Sequence, residues 1–237
     1  NFLHLMQTHS PAPGALPDPA AVRQKHAGAK HEYMAHIEDL YTTRGYEYMA
    51  YVDPYQFLSR VKVPVMYLIG TNDRHFNSFD DHGFYPFYQG DKSFAYVANY
   101  GHGMATHEHV RAYRAWAAHC FWGRPITRLT AMGTVEQGEL KVSAIVQSQS
   151  EITELRLLYC FKKGVRFNDD KDRYKSLPMK RDGDGGYWKA ALPSDREVYW
   201  YVEARDRAQG FESIATTLLK RTQRNRRPPP KTRRQDG

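Results

Sequence analysis

Two short apolar runs, residues 64–69 and 93–98, each pass straight into a polar turn. Runs of this length without alternation suit strands buried on both faces, as in a parallel sheet. The stretch between them is long enough for a crossover helix, expected around 78–88. After His102, the residues Val110, Tyr113, Trp116, Ala117, Cys120 and Phe121 recur at helical spacing, and Gly123-Arg124-Pro125 ends the pattern. Upstream, residues 25–52 read as one or two helices and 10–19 as an irregular loop. Asp53-Pro54 starts a further short helix over YQFLSRV.

Beyond Pro125 the period changes to two. Leu140, Val142, Ala144 and Val146 point one way. Leu155, Leu157, Tyr159 and Phe161 form a second such set, and Val198, Trp200, Val202 and Ala204 a third. Trp200 is expected to fill a core while Tyr199 and Tyr201 face out. Further strands are expected over 126–134, 174–180, 186–191 and 213–221, with Asp182-Gly183-Asp184-Gly185-Gly186 as a turn. The expected organisation has three parts. Residues 1–125 form a partial α/β domain, with a cap-like helical segment over 1–60 and the last strands and helices over 61–125. Residues 126–222 form a β-sandwich of fibronectin-III or immunoglobulin type. Residues 223–237 form a disordered basic tail.

Charge adds little to this picture once it is located. The chain has 237 residues and a net charge of +8. Residues 220–237 hold eight Lys or Arg and one Asp, so the body carries about +1. A basic, proline-containing terminus without apolar residues attracts phosphate non-specifically at most, which makes nucleic acid an unlikely partner. The sequence starts at Asn1 rather than Met and holds no apolar run long enough to span a bilayer, so it reads as a fragment. Two cysteines, Cys120 and Cys160, do not make a disulfide framework and read as buried or idle thiols.

The candidate chemistry sits in the two polar turns. Asp73 follows the first apolar run and His102 the second, 29 residues later. An acid and then a histidine, each at the C-terminal end of a strand, is the second half of a Ser-acid-His triad in α/β-hydrolase order. The histidine takes a proton from the nucleophile and returns it to the leaving group, while the carboxylate fixes its tautomer. No G-x-S-x-G elbow occurs in the chain, so the nucleophile is missing. His107 and His109 stand two apart, facing different sides of a helix, and read as solvent-facing. His31 and His36 are five apart, not four, which rejects a zincin reading of His31-Glu32. No metal or cofactor is implied.

The run DPYQFLSRVKVPVMYLIGTNDRHF, followed by DDHGFYPFYQGDKSFAYVANYGHG, resembles the C-terminal half of PhoPQ-activated pathogenicity-related proteins. The shared pieces are the Asp-Pro-Tyr start, the Pro before the strand, the G-T-N-D turn, the FYPFY segment with Gly90 and Lys92, and Y-V-x-N-x-G-H. The resemblance covers roughly 40–220 and implies an α/β-hydrolase with a β-rich extension. It places the acid on Asp73 and the histidine on His102, and it suggests a periplasmic or secreted location.

The expected fold is therefore the C-terminal half of an α/β-hydrolase, a parallel sheet with flanking helices, followed by a fibronectin-III/Ig-like sandwich. The expected function is the acid and histidine of a serine-type hydrolase acting on an ester or peptide-like substrate, inactive as this chain alone. The alternative is a non-catalytic interaction protein built from a degenerate hydrolase and an Ig-like binding module.

Overall fold

The computed structural model describes residues 39, 42–52, 57, 60–73, 88–101, 103–161, 173–183, 186–194 and 196–222. Of the helices expected over 25–52, only the part from Thr43 is described as a helix, and those expected over YQFLSRV and 78–88 lie mostly outside these residues, as does the tail from 223. The chain divides into two compact units, residues 1–67 with 75–93 and residues 68–74 with 94–237.

In the first unit, α1 (Thr43–Val52) is preceded by Thr42, whose hydroxyl accepts the Gly45 N–H at 3.1 Å. Tyr88 is buried and donates its hydroxyl to the Val63 carbonyl. Lys92 reaches back to the Tyr88 carbonyl at 3.0 Å.

Among the described residues, strands β1 (Val65–Gly70) and β2 (Lys92–Val97) form a two-stranded sheet. The Val65 N–H donates to Asp91 O at 2.9 Å, and the Thr71 N–H to Val97 O at 3.0 Å. Both bonds step forward together along the two strands, so the pair is parallel.

The second unit holds two antiparallel sheets. One has four strands in the order β3 (Arg128–Glu136), β4 (Glu139–Gln147), β8 (Tyr187–Pro193), β7 (Lys180–Arg181). The other runs β10 (Phe211–Thr216), β9 (Val198–Ala208), β5 (Glu151–Phe161), β6 (Lys175–Pro178), with β11 (Lys220–Arg221) also on β9. Their shared core takes Leu140, Val142 and Ala144 from β4, Leu155 and Leu157 from β5, and Val198, Trp200, Val202 and Ala204 from β9. These are the inward positions of a period-two pattern. The β3–β4 and β9–β10 hairpins turn on two residues each, Gln137-Gly138 and Gln209-Gly210. All four have positive φ (52°, 79°, 51° and 77°), which matches the right-handed twist of the flanking strands.

The second face of the five-stranded sheet is also covered. Residues 198–204 of β9 are buried throughout. Tyr201 meets Tyr96 of β2 at 5.0 Å and Tyr174 at 5.6 Å between ring centres. The expectation that Tyr199 and Tyr201 face out is thus corrected, because β2 lies on that face. Helix α2 (His107–Trp122) packs on β10.

These observations overturn the expected fold class. The described chain is mostly strand, its multi-stranded sheets are antiparallel, and it contains two α-helices among the described residues. A parallel sheet with flanking helices is not formed among the described residues. The two apolar runs do form strands, but among the described residues they pair only with each other, and β2 lies against an antiparallel sheet rather than inside a parallel one. No described helix is long and apolar enough to cross a membrane.

Candidate functional site

The turn after β1 is built around Thr71, Asn72 and Asp73. All three are buried, Asp73 at 4% exposure. The Asp73 N–H closes the turn on Gly70 O at 3.2 Å. Thr71 Oγ1 donates to Asn72 Oδ1 at 2.9 Å and accepts the Asn99 N–H at 2.8 Å. Asn72 N–H donates to Tyr100 O at 2.9 Å. The turns after β1 and β2 are therefore stitched together at one end of the strand pair. Gly70 permits this: a Cβ there would stand 2.2 Å from Tyr100 O and 2.5 Å from Gly101 O.

The turn after β2 has Asn99 in the left-handed region at φ 61°, where Asn is tolerated better than most residues. Its side chain clamps the backbone of Tyr174, accepting the N–H at 2.6 Å and donating to the carbonyl at 2.9 Å. The turn is described as far as Gly101. His102, the next residue, lies outside the described residues. Of the two expected site residues, Asp73 is thus placed, buried at the end of β1, beside the backbone that leads to His102.

The chain then enters α2 through Thr106. Its Oγ1 accepts the His109 N–H at 3.3 Å and contacts His109 Nδ1 at 2.6 Å. The hydroxyl donates to Nδ1 in one ring tautomer and accepts from it in the other, and the contact fits both. His109 is 1% exposed, its ring lies 4.9 Å from that of Tyr100, and Nε2 has no hydrogen-bond partner among the described residues. Burial holds its pKa below the ordinary value, with Glu108 opposing. His109 was expected at the surface; the structure corrects this, while His107 is exposed. Thr106 marks the start of the helix as its N-cap, but that spacing carries no signal for burial of the His109 ring.

The fold and the stitched turns define a β-rich protein whose two antiparallel sheets share one core and whose short parallel strand pair ends in a buried acid. The family model for PhoPQ-activated pathogenicity-related protein matches residues 30–162, and the chain belongs to that family. Among curated proteins, none matches the chain. Solved structures similar to it include a carbohydrate-binding module family 56 β-1,3-glucan-binding domain, 11% identical over 40% of this chain and 99% of that one, with a TM-score of 0.28. Another is a DUF3823 family protein from Bacteroides uniformis ATCC 8492, 12% identical over 41% of this chain and 55% of that one, with a TM-score of 0.27. Likenesses this faint leave the functional reading to the residues.

Proposed function

We infer that the chain supplies the acid and the histidine of a serine-type hydrolytic site for an ester or amide substrate. Asp73 orients His102, which acts as general base and then general acid. The nucleophile has no counterpart among these residues, since no G-x-S-x-G elbow is present. The observation that carries this reading is the burial of Asp73 in a turn bonded to the one that ends at Gly101. A carboxylate at 4% exposure is costly unless it is paired. The residue that follows Gly101 is a histidine.

Two measurements on the full chain test the reading. Ring ¹⁵N shifts report the tautomer of His102. With Asp73 as acceptor the proton sits on Nδ1, and Asp73→Asn changes that signature while the distant Asp182→Asn does not. An unchanged His102 ring in Asp73→Asn would refute the pairing. Turnover of an aryl ester should stay at background, because loss of a triad member costs on the order of 10⁴-fold or more in rate. Robust turnover abolished by His102→Ala would mean that a nucleophile lies within the chain.

A further inference from the structure

The outer face of the four-stranded sheet is not flat. A hollow of about 630 Å³ lies over it, within the ~300–1,000 Å³ range of small-molecule sites. Two outward rows of the sheet make its floor. The register sets Met132 beside Ser143, Lys189 and Lys180, and Thr134 beside Lys141 and Ala191. Ser143, Thr134 and Ala191 are short, so a ligand can approach the sheet backbone closely. One side is closed by Leu177 and Pro178, where the chain crosses from β6 to β7.

The lining is aliphatic and cationic. Among the described residues no aromatic ring contributes to it, so none of them offers stacking to sugar rings or bases. Met132 is 71% exposed, and a flexible thioether adapts to an alkyl chain. The lysine stems add methylene surface and carry their charges to the rim. Three ammonium groups, on Lys141, Lys180 and Lys189, line the hollow, and among the described residues no carboxylate does. Glu136 and Asp182 stand outside the lining and hold Lys141 at 3.0 Å and Lys189 at 2.5 Å. For Lys180 no ion pair is found among the described residues.

We propose that this hollow binds a soluble medium-chain aliphatic anion, with the alkyl chain on the floor and the acid group at Lys180. The site is independent of Asp73 and His102. It also differs from a membrane-docking face, because a walled hollow of this volume takes up one chain rather than presenting an apolar plane.

Calorimetric titration of the full chain with hexanoate, octanoate and decanoate, below their micellar concentrations, tests the proposal. Saturable binding should tighten roughly two- to four-fold per added methylene. The neutral analogue 1-octanol should bind at least five-fold more weakly than octanoate at low salt. Lys180→Glu and Ala191→Phe should each weaken octanoate at least five-fold with little change in melting temperature, and Ser143→Phe replaces Ala191→Phe should that variant misfold. Absence of saturable binding at millimolar octanoate would overturn the proposal. So would affinity indifferent to both substitutions, or binding to anionic phosphatidylglycerol vesicles without binding to the free acids.

Discussion

His109 and Asp73 are buried polar side chains, and each constrains its surroundings differently. The His109 imidazole is held in its neutral form by burial. In the unfolded chain the ring protonates near its ordinary value of 6.5. Below that pH the unfolded state binds a proton that the folded state resists. Stability therefore falls as pH falls from about 6.5 until the folded ring itself protonates, and the residue contributes nothing to the slope above 6.5. The slope from one proton is at most about 1.4 kcal/mol per pH unit. Urea unfolding between pH 7 and 5 should show this loss in the natural chain and a shallower one in His109→Asn, which keeps an acceptor for Thr106. Equal slopes would show that the ring is not held neutral. The sequence made Asp73 legible because an acid directly after a buried apolar run has few other places to go. It concealed His109 because a histidine in the first turn of a helix looks the same whether that turn faces water or Tyr100.

Helix α2 shows why periodicity alone picked the wrong face. The expected stripe was Val110, Tyr113, Trp116, Ala117, Cys120 and Phe121. The buried face is instead His109, Ala112, Ala115 and Ala118, while Tyr113 is 63% and Phe121 78% exposed. Cys120 is exposed as well, whereas Cys160 is buried. Small side chains let the helix axis come close to β10, while Tyr113 and Phe121 stay exposed and Trp122 stacks on Phe211 at the start of β10 with 6.3 Å between ring centres. The helix ends at Gly123, and the following Arg124 carries the anchor. Arg124 pairs with Asp206 of β9, both side chains 1% exposed, and Asp206 also accepts the Thr127 hydroxyl at 2.6 Å. Removing one partner strands a buried charge. Arg124→Ala should cost about 3–5 kcal/mol in chemical denaturation, and the apolar double variant Arg124→Met/Asp206→Leu should recover most of it. In that variant Thr127 keeps its bond to Ser148 at 2.8 Å. A single variant within about 1 kcal/mol of the natural chain would mean that water reaches the pair.

At the scale of the molecule, β9 is the centre of the second unit. It pairs with β5 on one edge and with β10 and β11 on the other, and both of its faces are covered. Amide exchange should therefore be slowest along 198–204 and the paired part of β5, at protection close to the global unfolding free energy, and fastest at the two-residue strand β7. Uniform protection across both sheets would argue against this centre. The alternation that builds the antiparallel sheets was legible at Leu140, Val142, Ala144 and Trp200, because one face of each strand had to be apolar. The parallel sheet was over-read. Short apolar runs such as 64–69 and 93–98 report only that a strand is buried on both faces, and being covered by a neighbouring antiparallel sheet satisfies that condition equally well.

The two-residue turns at Gln137-Gly138 and Gln209-Gly210 set the order in which this topology can assemble. Each joins strands that are adjacent in sequence, so its hairpin can form on the microsecond scale without closing a long loop. The pairing of β5 with β9 joins residues such as Leu157 and Val202, separated by 45 positions, and bears the entropy of that closure. The hairpins thus make one strand of each long-range pairing available early, β4 for β8 and β9 for β5, already stiffened by β3 and β10. Docking β5 onto β9 and β8 onto β4, where Val142 meets Ala190 across 48 positions, is then the step that bears the closure entropy. The apolar face of β9 stays exposed until that moment, and the interval before docking is when this chain is most prone to associate with another copy of itself.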